Sequence, residues 1–234
     1  MMRALAIVAA LAGVAHADRW DSWQDAQGGA WLHYELSAIG DVDDTVKPRD
    51  NPGGLVLAGA RLHGFVGKGD VIGYHVGVDL AAGGTLRGGG FAYDVALFPL
   101  GIGVRVGATG VIALGAGVGA MGATATLDDA MTFPLEANAE LGGGRLRVLA
   151  RVRASYIAFA ADRHDGAPSI PFADELDATL GLRIGHHYDD YGYPTGNGYW
   201  GGVAYRELAG SRYVGLVIGY SIDMATPRKG VRGR

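Results

Sequence analysis

The chain has 234 residues, of which 41 are glycine and none is cysteine. Its 49% hydrophobic residues, 19% charged residues and formal net charge of −4 exclude a disordered acidic chain and a basic nucleic-acid-binding protein. Without cysteine the chain has no disulfide framework, thiolate metal site or cysteine nucleophile. The glycine content is well above the usual share of about 7% and argues against long helices.

The first 17 residues have the pattern of a secretory signal peptide. Arg3 supplies a positive charge, an apolar run follows, and Ala15-His16-Ala17 is a small-x-small ending. The pattern predicts export and cleavage after Ala17, which leaves residues 18–29 as a short periplasmic segment. A transmembrane helix is the alternative, but the apolar run is shorter than the roughly 20 residues that a span requires.

Period-two alternation of apolar and small or ionisable residues then predicts ten strands. They cover residues 30–39, 54–67, 71–81, 90–98, 102–120, 132–142, 145–156, 174–185, 198–208 and 212–223. The segment 102–120 keeps its apolar residues at even positions. A two-residue turn near Thr109-Gly110 would exchange the faces, so we expect one long strand that follows a turn at Pro99-Leu100-Gly101.

The predicted fold is all-β: a closed, antiparallel, up-and-down transmembrane β-barrel of about ten strands over residues 30–223, with eight or twelve strands as alternatives. Counting 102–120 as two strands would give eleven, and bacterial outer-membrane barrels normally have an even number. Short turns are expected at the periplasmic end and longer polar loops outside. Aromatic residues near strand ends are typical of the girdles at membrane interfaces; examples are Trp31, Tyr34, Phe91, Tyr199 and Trp200.

The last strand contains Tyr213, Gly215, Ile218 and Tyr220. This spacing resembles the C-terminal recognition signal of bacterial outer-membrane barrels, although in that class the signal usually ends the chain and here a basic tail, residues 224–234, follows. The resemblance is to small outer-membrane β-barrel proteins of Gram-negative bacteria. It implies insertion by the barrel-assembly machinery, location in the outer membrane, and contact with outer-membrane lipid and lipopolysaccharide.

In such a barrel the ionisable faces of the strands would line the lumen. We expect opposite charges there to pair, because a buried charge needs a partner. The resulting interior would be polar and largely filled, with at most a narrow path. The expected lumen charge network consists of Arg61, Asp79, Asp94, Arg105, Glu136, Glu140, Arg147, Arg151, Arg153, Asp177 and Arg183.

Histidines on the same face offer a candidate metal site. If a three-residue turn joins the second and third strands, position i pairs with 138 − i, so His63 lies opposite His75 with Asp79 one pleat further along. Lumen histidines that hydrogen-bond to carboxylates are the commoner arrangement, so no metal and no other cofactor is predicted. The groups at Asp41-Val42-Asp43-Asp44, His164 and 186–190 are expected to be polar loops.

No catalytic residue is predicted. Ser155 is the one serine at a mid-strand lumen position, but no histidine is near it in sequence and no G-x-S-x-G elbow occurs. The favoured function is a non-enzymatic outer-membrane barrel that strengthens the membrane, presents surface loops or forms a narrow pore. The alternatives are an outer-membrane enzyme acting at the extracellular rim and a soluble exported β-sandwich or lipocalin-like binding protein. No nucleic-acid partner is expected, and the oligomeric state is open.

Overall fold

The computed structural model describes residues 26–42, 53–68, 72–106, 110–123, 127–143, 146–160, 175–185, 197–208 and 211–223. They form ten strands: β1 (Ala26–Asp41), β2 (Gly54–Lys68), β3 (Ile72–Thr85), β4 (Phe91–Val106), β5 (Gly110–Ala123), β6 (Leu127–Gly143), β7 (Leu146–Ala160), β8 (Glu175–Gly185), β9 (Gly198–Leu208) and β10 (Ser211–Asp223). Each strand pairs antiparallel with its neighbours in sequence, and β1 pairs with β10. The predicted closed barrel and its strand count are confirmed. Within the described ranges, no helix has the length and hydropathy needed to cross a membrane.

The alternation of side chains along each strand decides which face points into the barrel. In β7, Arg151 and Arg153 are buried, whereas Val152 and Tyr156 are exposed. Consecutive residues of a strand point to opposite sides, so charged positions two apart enter the interior together. The barrel therefore has an apolar exterior and an interior that contains the charges.

The predicted single strand over 102–120 is wrong. The structure has β4 running through to Val106 and β5 starting at Gly110, so Pro99-Leu100-Gly101 lies within β4 and is not a turn. Val106 pairs with Gly110, which leaves three residues, 107–109, between the strands. When three residues connect two strands, even-numbered residues of one strand pair with even-numbered residues of the next. Even positions therefore stay on the same face of the sheet, and the alternation in the sequence continues unbroken across the connection.

A β-bulge near Pro99 explains why the outward-facing positions change from odd to even numbers along β4. The pairing of β4 with both β3 and β5 shifts by one residue in this region. Val95 is exposed before the bulge and Leu100 after it, so the outward positions change from odd to even. Proline has no N–H for the hydrogen-bond ladder and is tolerated at such an irregularity.

Two ends of the barrel can be distinguished by the chain. At the termini end, where β1 begins and β10 finishes, the connections are 69–71, 107–109, 144–145 and 186–197. At the opposite end, called the loop end, they are 42–53, 86–90, 124–126, 161–174 and 209–210. Strand β1 begins four residues before the predicted start at residue 30, and β6 begins five before the predicted 132.

An apolar cluster closes the interior at the loop end. Its buried members come from eight strands: Ile39, Leu55, Leu57, Ala92, Met121, Ala130, Ile157, Leu208 and Tyr213. The expected polar interior is thus wrong for the loop end, and toward the termini end the charged groups share the interior with Trp31, Phe65 and Trp200. Several sequence predictions concern residues outside the described ranges. They are the signal peptide 1–17, Arg145, the tail 224–234 and the loop groups at Asp43, Asp44, His164 and 186–190.

Candidate functional site: the charged interior of the barrel

Arg151 is the centre of the interior network. Its Nη2 donates to Oδ2 of Asp79 at 2.9 Å, and its Nε donates to Oε2 of Glu136 at 2.7 Å. Its Nη1 lies 3.4 Å from Oδ1 of Asp177. Asp79 and Arg151 are on β3 and β7, so this contact crosses the lumen. One guanidinium group therefore joins three carboxylates from three strands.

The next layer toward the loop end contains two arginines that share two carboxylates. Arg153 donates through Nη2 to Asp94 and, at 2.6 Å, to Oε1 of Glu175. Arg206 donates through Nη2 to the same two groups, at 2.8 Å and 3.0 Å. All four side chains are buried. Each of the two carboxylates in this layer thus contacts both guanidinium groups, and the charges of the four side chains balance.

The layer toward the termini end is built around Glu140. Arg147 and Arg183 lie 2.8 Å and 2.6 Å from its Oε1, and Nη1 of Arg183 donates to Ser221 at 2.8 Å. Nε2 of His33 lies 3.9 Å from Oε2 of the same carboxylate. These groups come from β1, β6, β7, β8 and β10, so they join strands on opposite sides of the barrel.

Arg61 forms a separate contact with the wall of β1. Its Nη2 lies 2.9 Å from Oε2 of Glu35, and its guanidinium carbon is 5.6 Å from the ring centroid of Trp200. Such a distance is within the range of a cation–π interaction. Trp200 therefore faces the interior, and so does Trp31; both are buried. The prediction that these two residues belong to an exterior aromatic girdle is wrong, because each occupies an inward position of its strand.

His63, His75 and Asp79 form a histidine-carboxylate cluster in the interior. Nε2 of His63 donates to Oδ1 of Asp79 at 2.9 Å, and Nδ1 of His63 lies 3.1 Å from Nε2 of His75. The rings of His63 and His75 are stacked with centroids 5.2 Å apart. The predicted residues are therefore brought together.

The register that brings the histidines together differs from the predicted one. His63 pairs with Gly77, and Phe65 pairs with His75, so position i pairs with 140 − i rather than 138 − i. A shift of two residues leaves every side chain on its predicted face. The two imidazoles consequently meet on a diagonal instead of directly opposite each other.

Little space remains between the interior side chains. One space of about 40 Å³ is lined by charged groups including Arg61, Asp94 and Arg206. Another of about 30 Å³ is lined by His33, His63 and other side chains near the termini end. Spaces of this size hold a few water molecules. In the described part of the chain, the interior is thus filled by side chains.

Most of the predicted network residues lie within this network, and sequence reasoning missed several others. Arg105 is the exception, because its side chain lies outside the described residues. Glu35, Glu175 and Arg206 were not predicted although they form ion pairs. Glu175 shares the odd parity of the predicted Asp177, and Arg206 lies on the face of β9 opposite the exposed Val203. The alternation of odd and even positions along β8 and β9 would have been sufficient to predict that Glu175 and Arg206 face inward.

The interior provides ion pairing rather than an arrangement for nucleophilic catalysis. Ser155 is buried, and its Oγ has no hydrogen-bond partner among the described residues. A serine nucleophile needs an adjacent base, so the described geometry does not activate it. Among the residues that the structure describes, two groups of side chains could hold a metal ion: His63 with Asp79 and Glu136, and Asp94 with Glu175 and Asp177.

The exterior has the opposite character to the interior. Large apolar side chains are exposed on all ten strands, for example Leu36, Val56, Leu114, Leu180 and Leu216. Tyr34, Phe91 and Tyr199, which were predicted for the aromatic girdles, are exposed. Among the described residues, the paired buried charges all face inward.

Comparison with known proteins gives similarity to solved structures alone. No protein-family model and no curated protein matches the chain. The chain is similar to a solved structure, the translocator domain of the autotransporter NalP from Neisseria meningitidis, with 12% sequence identity and a TM-score of 0.39. The match covers 90% of this chain and 97% of that chain. At this level of similarity nothing about the function of this chain follows from it.

Proposed function

We propose that the protein is an integral outer-membrane β-barrel of a Gram-negative bacterium whose filled interior serves structural stability and the presentation of surface loops rather than open-pore transport. The observation that carries this proposal is the inverted distribution of polarity: exposed apolar side chains on all ten strands and paired charges inside. A water-soluble barrel or sandwich would bury the apolar face instead. Closure of the sheet leaves no unpaired strand edge, as the hydrocarbon core of a membrane requires.

The height of the apolar surface fits a membrane. In β7, exposed residues extend from Leu146 to Tyr156 without an outward charge. Ten residue steps cover about 33 Å along a strand, or about 25 Å along the barrel axis at a tilt of about 40°. Outer-membrane barrels have an apolar band of about 25 Å. Tyr199 and Tyr220 pack against each other on the outside near the termini end, where an interfacial girdle would lie.

The last strand supports the proposed route of assembly. In β10, Tyr213 and Gly215 point inward, whereas Ile218 is exposed on the outside and Tyr220 shares its parity. The proposed assembly signal would thus present its two apolar positions to lipid or to the assembly machinery. We propose that the predicted signal peptide directs export and that the termini end faces the periplasm.

Cell fractionation combined with a heat-modifiability gel tests this proposal. The full chain is expressed in a Gram-negative host, the outer membrane is extracted with detergent, and samples are run with and without boiling. The expected result is an outer-membrane band whose mobility shifts on heating, because a closed barrel resists unfolding by detergent at room temperature. Recovery in the soluble periplasmic fraction without a shift would contradict it and favour the soluble alternative.

Planar-bilayer recording distinguishes a filled barrel from a pore. We expect the purified protein to show no sustained ion conductance, because among the described residues charged side chains pair across the lumen and line spaces of about 40 Å³ and 30 Å³. A steady open-channel current from the unmodified protein would overturn the filled-interior part of the proposal and leave the membrane location intact.

A further inference from the structure

Part of the histidine-carboxylate cluster, together with the neighbouring Glu136, carries an inference that does not depend on the membrane location. His63, Asp79 and Glu136 are buried and come from β2, β3 and β6. One possible ligand atom from each lies within 4.8 Å of the other two. Tetrahedral zinc with bonds of about 2.0–2.2 Å holds its ligand atoms about 3.3–3.6 Å apart, so these atoms would have to move together by up to about 1.5 Å. We propose that His63, Asp79 and Glu136 bind one divalent transition-metal ion of the zinc class inside the barrel.

The contacts of Arg151 leave one oxygen of each carboxylate for a metal ion. Its guanidinium group bonds Oδ2 of Asp79 and Oε2 of Glu136. Oδ1 of Asp79 is 2.9 Å from Nε2 of His63, and Oε1 of Glu136 is 3.8 Å from Nδ1 of the same ring. An ion binds one ring nitrogen, so binding at Nε2 beside Asp79 requires the carboxylate of Glu136 to turn toward that side of the ring. Asn138 also donates a hydrogen bond to Oε1 of Glu136. Hydrogen bonds of this kind to ligating carboxylates are typical of the groups that orient metal ligands.

The described interior carries an excess of negative charge. Seven carboxylates (Glu35, Asp79, Asp94, Glu136, Glu140, Glu175 and Asp177) face six guanidinium groups (Arg61, Arg147, Arg151, Arg153, Arg183 and Arg206). A buried excess charge is unfavourable without a counter-ion. A bound cation would supply this counter-charge.

The position of the imidazole is fixed by its neighbours. The ring of His63 stacks on Trp31 and on His75, with centroids 6.0 Å and 5.2 Å away. Gly77, which lies opposite His63 in the register, leaves room for the ring, because a Cβ there would come within 2.7 Å of Nδ1. An imidazole ligand selects transition metals over Ca²⁺ and Mg²⁺, which prefer oxygen ligands only. The preorganised ring therefore points to zinc-class ions.

Metal analysis of the refolded full chain tests the proposal. The denatured protein is refolded into detergent micelles with Zn²⁺ or with Ca²⁺, excess metal is removed, and metal per folded chain is measured by mass spectrometry. We expect about one zinc per chain, little calcium, and at least a tenfold loss of zinc in His63→Gln and Glu136→Gln. Glu140→Gln is the matched control, since Glu140 is also buried and paired with arginines, and it should keep its zinc.

Other histidines and poor folding are controlled separately. A His186→Gln, His187→Gln double variant should retain zinc, because these residues are not among the proposed ligands. Should the Glu136 variant fail to fold, X-ray absorption of the zinc-loaded unmodified chain should show one nitrogen and two carboxylate oxygens at about 2.0–2.2 Å. The proposal is overturned by less than a tenth of a zinc per folded chain, by unchanged zinc in folded Glu136→Gln, by loss of zinc in the His186 and His187 variant, or by absorption data that lack the nitrogen ligand. The heat-shift gel reports barrel formation independently of these results.

Discussion

Replacement of Arg151 by glutamine is expected to destabilise the barrel strongly. Arg151 is buried and contacts Asp79, Glu136 and Asp177. Removing one partner of a buried ion pair costs about 3–5 kcal/mol, because the remaining charge stays desolvated without compensation.

The geometry of the remaining groups sets the size of the effect. Among the described residues, no other arginine lies within 4.0 Å of Glu136, whereas Asp79 keeps Nη1 of Arg153 at 4.0 Å. We therefore count one buried carboxylate that loses its guanidinium partner and keeps only the hydrogen bond from Asn138, and we expect a loss of about 3–5 kcal/mol in the free energy of unfolding. Arg206→Gln should cost about half as much, because Asp94 and Glu175 both keep Arg153.

The assay is urea-induced unfolding of the chain refolded into lipid vesicles. Fluorescence of the four tryptophans and the gel shift report unfolding, and linear extrapolation gives the free energy. Arg212→Gln is the control, because Arg212 is exposed and lies 3.8 Å from Glu207, a surface pair worth about 0–1 kcal/mol. A cost below about 1 kcal/mol for Arg151→Gln, or one equal to that of the control, would refute the reasoning.

Three further changes test the two faces and the packing. Leu180→Arg, at the middle of β8 on the outside, should destabilise the barrel in vesicles by about 2–4 kcal/mol, and tolerance of the arginine would argue against a lipid-facing surface. Gly77→Ala should displace the ring of His63 and cost about 1–3 kcal/mol in urea unfolding. Its control, Gly64→Ala, meets its nearest atom at 3.5 Å and should cost less; equal costs would contradict the packing argument. Leu55→Ala should cost about 2–5 kcal/mol by the same assay, and a negligible cost would show that the apolar cluster at the loop end contributes little.

The periodicity of the sequence was sufficient for the all-β class and for grouping most residues by face, whereas the choice of a membrane barrel over a sandwich also used the paired charges, the aromatic residues and the last strand. Residues such as Arg151 and Arg153 have the same parity in an alternating segment, so their side chains must enter the same side of any sheet. Alternation does not depend on register, and a register error of two residues left His63 and His75 on the predicted face. For this reason the strand count and the candidate cluster could be predicted from local pattern alone.

Registers, bulges and contacts across the lumen required the tertiary structure. The connection at 107–109 was missed because a three-residue turn preserves parity and leaves no mark in the alternation. Asp79 and Arg151 are 72 positions apart in sequence, and their hydrogen bond exists because closure of the barrel brings β3 and β7 to opposite sides of a narrow interior. A local pattern contains the direction of each side chain, but the distance between two side chains depends on the register of every strand pair between them. The sequence alone determined which residues of a regular strand share a face, and only the closed barrel decided which face is inside and which of the inward residues meet.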